Sequence, residues 1–244
     1  MNHSYGVQLY SVRDFTEKDL AFTLKKVAEI GYSSVEFAGF FGHEADEIRA
    51  MLDEYGLKCA GTHSGWEDLR PTEITETIKF HKALGNREYV IPGAFLEERD
   101  KMDEFVKVVN FAQPVLEAEG ISLSYHNHSD EFYLQPWGTM IHAELERRTS
   151  LDFEIDTFWL WNAGADPVQT LERLKGRVHL IHLKDGCKGG NYSGFALGEG
   201  EAPVKAIRDK AALLGMAMIV ESEGLHPDGL SEVGRCFDYL RSID

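Results

Sequence analysis

Asp156, His182 and Glu221 close three consecutive apolar runs, LDFEID (151–156), RVHLIHL (177–183) and MAMIVES (216–222). Two carboxylates and an imidazole suit a hard or borderline divalent cation. If these runs are strands, side chains alternate with period two. Glu154 then shares a face with Asp156, Lys184 with His182, and Glu223 with Glu221, while Ile155, Ile181 and Val220 face the other way. Polar residues interrupt the ends of other runs too, at Gln8 and Tyr10, Glu36, His63, and His126 and His128. A lone His or Asp on a strand is more often a satisfied structural residue than a ligand. Recurrence at the same edge of neighbouring strands argues for a shared site, because several buried ionisable groups need mutual compensation.

Eight such runs exist, the other five being YGVQLY (5–10), SVEF (34–37), LKCAGTH (57–63), EYVIPG (88–93) and ISLSYHNH (121–128). Helical patterns separate them. Ile48, Met51, Leu52 and Tyr55 fall at i, i+3, i+4 and i+7, and Phe105, Val108, Val109, Ala112, Val115 and Leu116 continue such a face for longer. Glycines 31, 56, 85, 120, 176 and 215 mark helix ends, and prolines 71, 167 and 203 fall near helix starts. Alternating strands and helices with short connections predict a parallel sheet, and eight units can close it. Parallel strands buried on both faces should read as continuous apolar runs. Their polar breaks lie toward the C-terminal ends, which is the active-site face of a (β/α)8 enzyme. The 244 residues therefore read as an α/β protein, a single (β/α)8 TIM barrel over 1–244, with an open doubly wound sheet as the alternative.

The chain has 25 basic and 41 acidic side chains, a formal charge of −16. That balance opposes binding to nucleic acid or to an anionic membrane. Cys59, Cys187 and Cys236 form no CxxC pair and suit reduced thiols. The opening MNHSYGVQLYSV lacks a basic region followed by an apolar run, and no run approaches bilayer length. A cytoplasmic location follows as the expectation, with a trimmed periplasmic signal as the alternative.

Four segments, YHNHSDEF (125–132), EIDTFWLWNAGADP (154–167), VHLIHLKDG (178–186) and IVESEG (219–224), together resemble the sugar phosphate isomerase/epimerase family, the xylose-isomerase-like metal-dependent barrels. The resemblance covers essentially the whole chain. It implies that Asp156, His182 and Glu221 bind one divalent ion, such as Mn, Zn, Mg or Co. Many members supply a glutamate from the fifth strand as fourth ligand, and here that place falls on His126. Epimerases of the family resemble two-carboxylate machines, and His126 departs from that pattern. An imidazole whose acceptor nitrogen is held by a metal cannot also act as a base.

Glu221 is the leading ligand and neighbouring acid/base. Glu36 is a candidate base or substrate contact, and His128 a ligand or proton shuttle. Lys184 either stabilises a developing enolate oxygen or is a solvated loop lysine. Glu154 is expected to orient an imidazole, with a direct ligand or a core salt bridge as the alternatives. His63, Trp66 and Trp159 are candidate substrate contacts, with packing as the alternative for each; Trp137 and Trp161 also lie beside these loops, while His3, His81 and His142 receive no chemistry. The glycine-rich segment 187–203 reads as a lid or substrate loop.

The function expected is isomerisation or epimerisation of a keto-sugar or polyol, with a small-molecule carbohydrate as partner. A lyase or dehydratase acting on a keto-sugar or keto-glycoside is the nearest alternative, and a non-catalytic sugar-binding barrel another. A metal-dependent endonuclease sharing this barrel would need a basic groove, which the −16 charge opposes. Homo-oligomerisation is compatible with the sequence, which exposes no legible interface.

Overall fold

The computed structural model describes residues 3–189 and 194–244. Eight strands, β1 (Tyr5–Gln8), β2 (Ser34–Ala38), β3 (Lys58–His63), β4 (Glu88–Ile91), β5 (Ser122–His126), β6 (Asp152–Asp156), β7 (Val178–Leu183) and β8 (Ala217–Val220), pair in chain order. β8 returns to pair with β1, so the parallel sheet closes into a (β/α)8 barrel. The helices are α1 (Arg13–Thr16), α2 (Leu20–Ile30), α3 (Ala45–Tyr55), α4 (Ile74–Leu84), α5 (Arg99–Ala118), α6 (Ile141–Arg148), α7 (Thr157–Asn162), α8 (Pro167–Arg173), α9 (Val204–Leu214) and α10 (Gly229–Ile243). Among the described residues, no helix is long and apolar enough to cross a membrane.

The helical faces pack as their spacing demands. Ile48 and Leu52 of α3 are buried, with Met51 and Tyr55 partly buried beside them. Phe105, Val109, Ala112 and Leu116 of α5 are fully buried. Gly56, Gly85 and Gly215 end α3, α4 and α9 in the left-handed conformation, which glycine adopts without a Cβ clash. Gly176 departs from that expectation. α8 stops at Arg173, and Arg177 N–H closes a turn onto the Leu174 carbonyl at 2.7 Å without a positive φ at Gly176. Pro167 opens α8, while Pro71 lies three residues before α4.

The barrel interior is layered. Val90, Leu180 and Ile219, with Ala60 against them, form a small apolar cluster separate from the main core. Nearer the C-terminal edge the interior turns polar, with Gln8, Glu36, His126, Glu154, Asp156 and His182 at 2% exposure or less. Strand register aligns this layer, pairing Gln8 with Glu36, His126 with Glu154, and Asp156 with His182.

Of the histidines outside that edge, His81 carries a testable consequence. His81 on α4 is 3% exposed and meets Asn86 Nδ2 at 3.1 Å and the Tyr89 ring at a centroid distance of 4.9 Å. Burial lowers its pKa from 6.5 to about 4. The unfolded chain therefore takes up this proton first as pH falls, and stability declines between pH 6.5 and about 4. Urea titrations across that range should show a loss of up to about 3 kcal/mol from this group. His81→Gln should flatten that limb; an unchanged slope would assign the acid sensitivity elsewhere.

Candidate active site

β6 delivers Asp156 directly into a turn. Asp156 caps α7, its Oδ1 accepting the Trp159 backbone N–H at 2.9 Å. Asn127, just past β5, locks the same point: its Oδ1 accepts Asp156 N–H at 3.1 Å and its Nδ2 donates to the Asp156 carbonyl at 3.2 Å. Asp156 Oδ2 is left buried without a hydrogen-bond partner among the described residues. His126, Asp156, His182 and Glu221 each offer a ligand atom within 4.8 Å of the others, and all four are buried. Glu221 follows β8, with its N–H on the Leu183 carbonyl at 3.0 Å.

A second set of contacts lies around the imidazoles. Glu154 Oε2 meets His63 Nε2 at 2.8 Å, His126 Nδ1 at 2.9 Å and His182 Nε2 at 3.3 Å. Glu36 Oε2 meets His182 Nε2 at 2.6 Å and accepts from Gln8 Nε2 at 2.8 Å. An imidazole that donates one N–H to a carboxylate presents its other nitrogen as an acceptor. His182 instead has a carboxylate at each nitrogen, donating from Nε2 to Glu36 and from Nδ1 to Glu221 Oε2 at 3.2 Å, in keeping with its raised pKa. His126, donating from Nδ1, keeps Nε2 for the cluster.

Lys184 follows β7 and is 1% exposed, so it is no solvated loop lysine. Its ammonium donates to Glu221 Oε2 at 2.9 Å and to Glu223, and lies 3.7 Å from Asp156 Oδ2. It also sits 5.1 Å from the Trp159 ring centroid, within range of a cation–π contact.

Burial and mutual charge set the protonation pattern. Burial raises Asp156 to about 6 against the pull of Lys184, and burial together with Glu154 raises Glu36 to about 7. Burial also acts to raise Glu154 and Glu221, yet His182 and its neighbours hold Glu154 well below the usual range, and Lys184 with His182 does the same for Glu221. Burial drives His126 down to about 3, the neutral form a ligand requires. His182 is raised despite burial by Glu154, Glu221 and Glu36.

The remaining candidates take different positions. Glu36 is 0% exposed and lies against His182 rather than at an open surface. His63 has its Nε2 on Glu154 and stacks on His182 at 5.4 Å between ring centroids. His128 lies beyond the end of β5, exposed at the rim, 5.1 Å from the His126 ring and 6.0 Å from Trp159. Trp159 is partly buried, and its Nε1 is a buried donor without a partner among the described residues. Trp66, in the short helix Trp66–Leu69 after β3, packs edge-on to Phe105 at 5.6 Å. Strand parity does not extend to Tyr10: β1 ends at Gln8, and Tyr10 sits in a 3-10 turn at 44% exposure.

The glycine-rich segment 187–203 is anchored at its return by Asp185. Its Oδ2 accepts the N–H groups of Gly198 at 2.8 Å and Gly200 at 3.1 Å, and its Oδ1 that of Ala202 at 3.0 Å. Residues 190–193 of the expected lid lie outside the described residues. Asn127, Gln8 and Asp185 were not singled out for these roles by sequence. Gln8 read only as a polar break at a run end, and Asn127 had a usable signal in its place between His126 and His128 at a strand end.

A closed parallel barrel with carboxylates and imidazoles gathered at its C-terminal edge defines a class of small-molecule enzyme scaffold. Residues 24–242 match the xylose isomerase-like TIM barrel family, and the chain belongs to that family. It is 23% identical to an inosose dehydratase of Geobacillus kaustophilus over 194 residues, covering 66% of this chain and 60% of that protein. It therefore spans less than two thirds of that relative's length. A 2-oxo-tetronate isomerase of Haemophilus influenzae is also 23% identical, over 69% of this chain and 75% of its own. A sugar phosphate isomerase/epimerase from Parabacteroides distasonis superposes with a TM-score of 0.85 at 23% identity, covering 99% of this chain and 94% of its own. At that identity the likeness establishes the fold.

Proposed function

We propose that the chain is a divalent-metal-dependent isomerase or epimerase acting on a keto-sugar or polyol, by removal of a proton next to the substrate carbonyl. The observation that carries the metal reading is charge. Glu36, Glu154, Asp156 and Glu221 are all 6% exposed or less, with Lys184 and the imidazoles of His182 and His63 set against them, and Asp156 Oδ2 has no hydrogen-bond partner among the described residues. Buried carboxylates in this number call for a further cation. Asp156, His182, Glu221 and His126 would hold it, in a mixed oxygen and nitrogen set suited to Mn, Zn, Mg or Co. A divalent ion held there supplies Lewis acidity that polarises a carbonyl and its neighbouring hydroxyl.

The chain's own groups do the proton work. Glu221, held ionised by Lys184 and His182, accepts the proton from the carbon next to the carbonyl. The electron pair left behind moves onto the carbonyl oxygen, giving an enediolate. Lys184 offsets that charge from a water-poor position. Glu36 and Glu154 fix the ring orientations of His182 and His126, and the Trp159 indole N–H is available to a substrate oxygen. Return of a proton to carbon, from Glu221 or from His128, completes isomerisation or epimerisation.

A lyase reading shares the first step and has a specific observation in its favour. The fifth-strand position carries His126, so Glu154, Glu36 and Glu221 do not form two carboxylates facing one substrate carbon; the first two are engaged with imidazoles. Similarity to an inosose dehydratase points the same way. In that case the enediolate expels a β-oxygen substituent, which takes its proton from Lys184 or His128.

Both readings are tested by incubating the manganese-loaded protein with ketopentoses and ketohexoses in D2O and following the sugars by NMR. Deuterium should enter at the carbon next to the carbonyl. An epimer supports the first reading, and an unsaturated ketone the second. If no sugar exchanges a proton, proton-abstraction chemistry is excluded for these substrates and the sugar-binding barrel becomes the better account.

A further inference from the structure

Beside the ionisable cluster, among the loops that follow β3, β4 and β5, lies a cavity of about 440 Å³. That is within the range of roughly 300–1,000 Å³ usual for small-molecule sites. His128 belongs to its wall and also stands 5.1 Å from the His126 ring, so the cavity and the cluster are neighbours across one side chain. Trp66 and Phe95 supply its aromatic surfaces, and Phe95 is 90% exposed at its mouth.

The charged groups of the lining are of one sign. Glu67, Glu97, Asp130 and Glu131 border the cavity, and among the described residues no lysine or arginine does. Glu131 is committed to Tyr125 Oη at 3.0 Å and to the His128 N–H at 2.8 Å. Glu67, Glu97 and Asp130 are exposed and make no ion pair among the described residues. The guanidinium of Arg70, 5.1 Å from the Trp66 ring centroid and covering one of its faces, is neutralised by Glu104 at 3.0 Å. Such a lining repels a phosphate or a carboxylate. It offers hydrogen-bond acceptors to hydroxyl groups and aromatic faces to the C–H side of a ring.

Building on the carbohydrate reading of the cluster, we infer that this cavity is a subsite for a second, uncharged sugar ring. The substrate is then an unphosphorylated keto-glycoside, its keto-sugar ring at the Asp156–Glu221 cluster and its linked ring between Trp66 and Phe95. A cavity that served only to admit solvent would not discriminate one ring from two, nor neutral sugars from phosphorylated ones.

Saturation-transfer NMR on the manganese-loaded full chain tests this with D-glucose, cellobiose, maltose and glucose 6-phosphate as probes. At least one disaccharide should receive saturation on both rings and bind about tenfold more tightly than glucose, the scale of one added aromatic contact. Phe95→Ala, a change at an exposed side chain, should remove that advantage while altering glucose binding less than twofold. Equal affinity for one and two rings, saturation confined to one ring, or tighter binding of glucose 6-phosphate would overturn the subsite. Deuterium exchange on free ketoses would be unaffected by that failure. Conversely, two-ring binding without exchange would remove the proposed reaction and leave the subsite standing.

Discussion

Lys184→Met lowers the melting temperature of the metal-free protein by roughly 10 °C, and saturating Mn2+ restores a large part of the loss. Methionine keeps most of the apolar stem and deletes the charge. The ammonium is 1% exposed, contacts Glu221 and Glu223, and approaches Asp156 Oδ2 at 3.7 Å. Removing one partner from a buried charge cluster costs about 3–5 kcal/mol, because the remaining charges are left uncompensated. In a domain of this size each kcal/mol moves the melting temperature by about 2–4 °C. A divalent ion on Asp156 and Glu221 would return positive charge to the same carboxylates, so the variant should gain more from metal than the wild type does. Differential scanning fluorimetry with and without Mn2+ reads both effects. An unchanged melting temperature, or a loss that metal does not repair, would contradict the electrostatic account.

Glu221→Gln should reduce proton exchange on a responsive keto-sugar by about 10³-fold or more. General acid–base catalysis alone contributes about 10²–10⁴-fold. The amide retains the shape of the carboxylate and an oxygen able to accept from Lys184, so the barrel should remain folded. It cannot accept the substrate proton, and it is a poorer ligand. Exchange rates in D2O at matched metal occupancy separate the two losses. Residual exchange within tenfold of wild type would move the base to another residue, with His128 at the rim the next to test.

Much of this arrangement was legible in the sequence because parallel-strand side chains alternate and the strands of a (β/α)8 barrel end at one face. Asp156 and His182 lie opposite each other across paired strands, as their positions at two run ends require. The inward turn of Glu154 followed from the same parity, and its Oε2 lies 2.9 Å from His126 Nδ1. What was not legible depends on closure of the sheet. Glu36 and His182 are 146 residues apart and on β2 and β7, yet meet at 2.6 Å inside the barrel. No local pattern announces that contact, so Glu36 reads from sequence as a base or substrate contact. The chain also leaves strand geometry before Tyr10, His128 and Lys184, where alternation no longer fixes direction. Tyr10 turns outward and His128 lies exposed, whereas Lys184 still turns inward because three carboxylates await it. The side cavity is built from three loops, and loop packing carries no periodicity from which to infer it.

The most direct test of the central claim is elemental analysis of the purified protein beside its Asp156→Ala/Glu221→Gln variant, after both are reconstituted with divalent metals and freed of excess ion. About one ion per chain in the wild type, absent from a variant that remains folded by circular dichroism, is the result predicted. Equal metal in both proteins, or none in either, would contradict a metal centre at these residues.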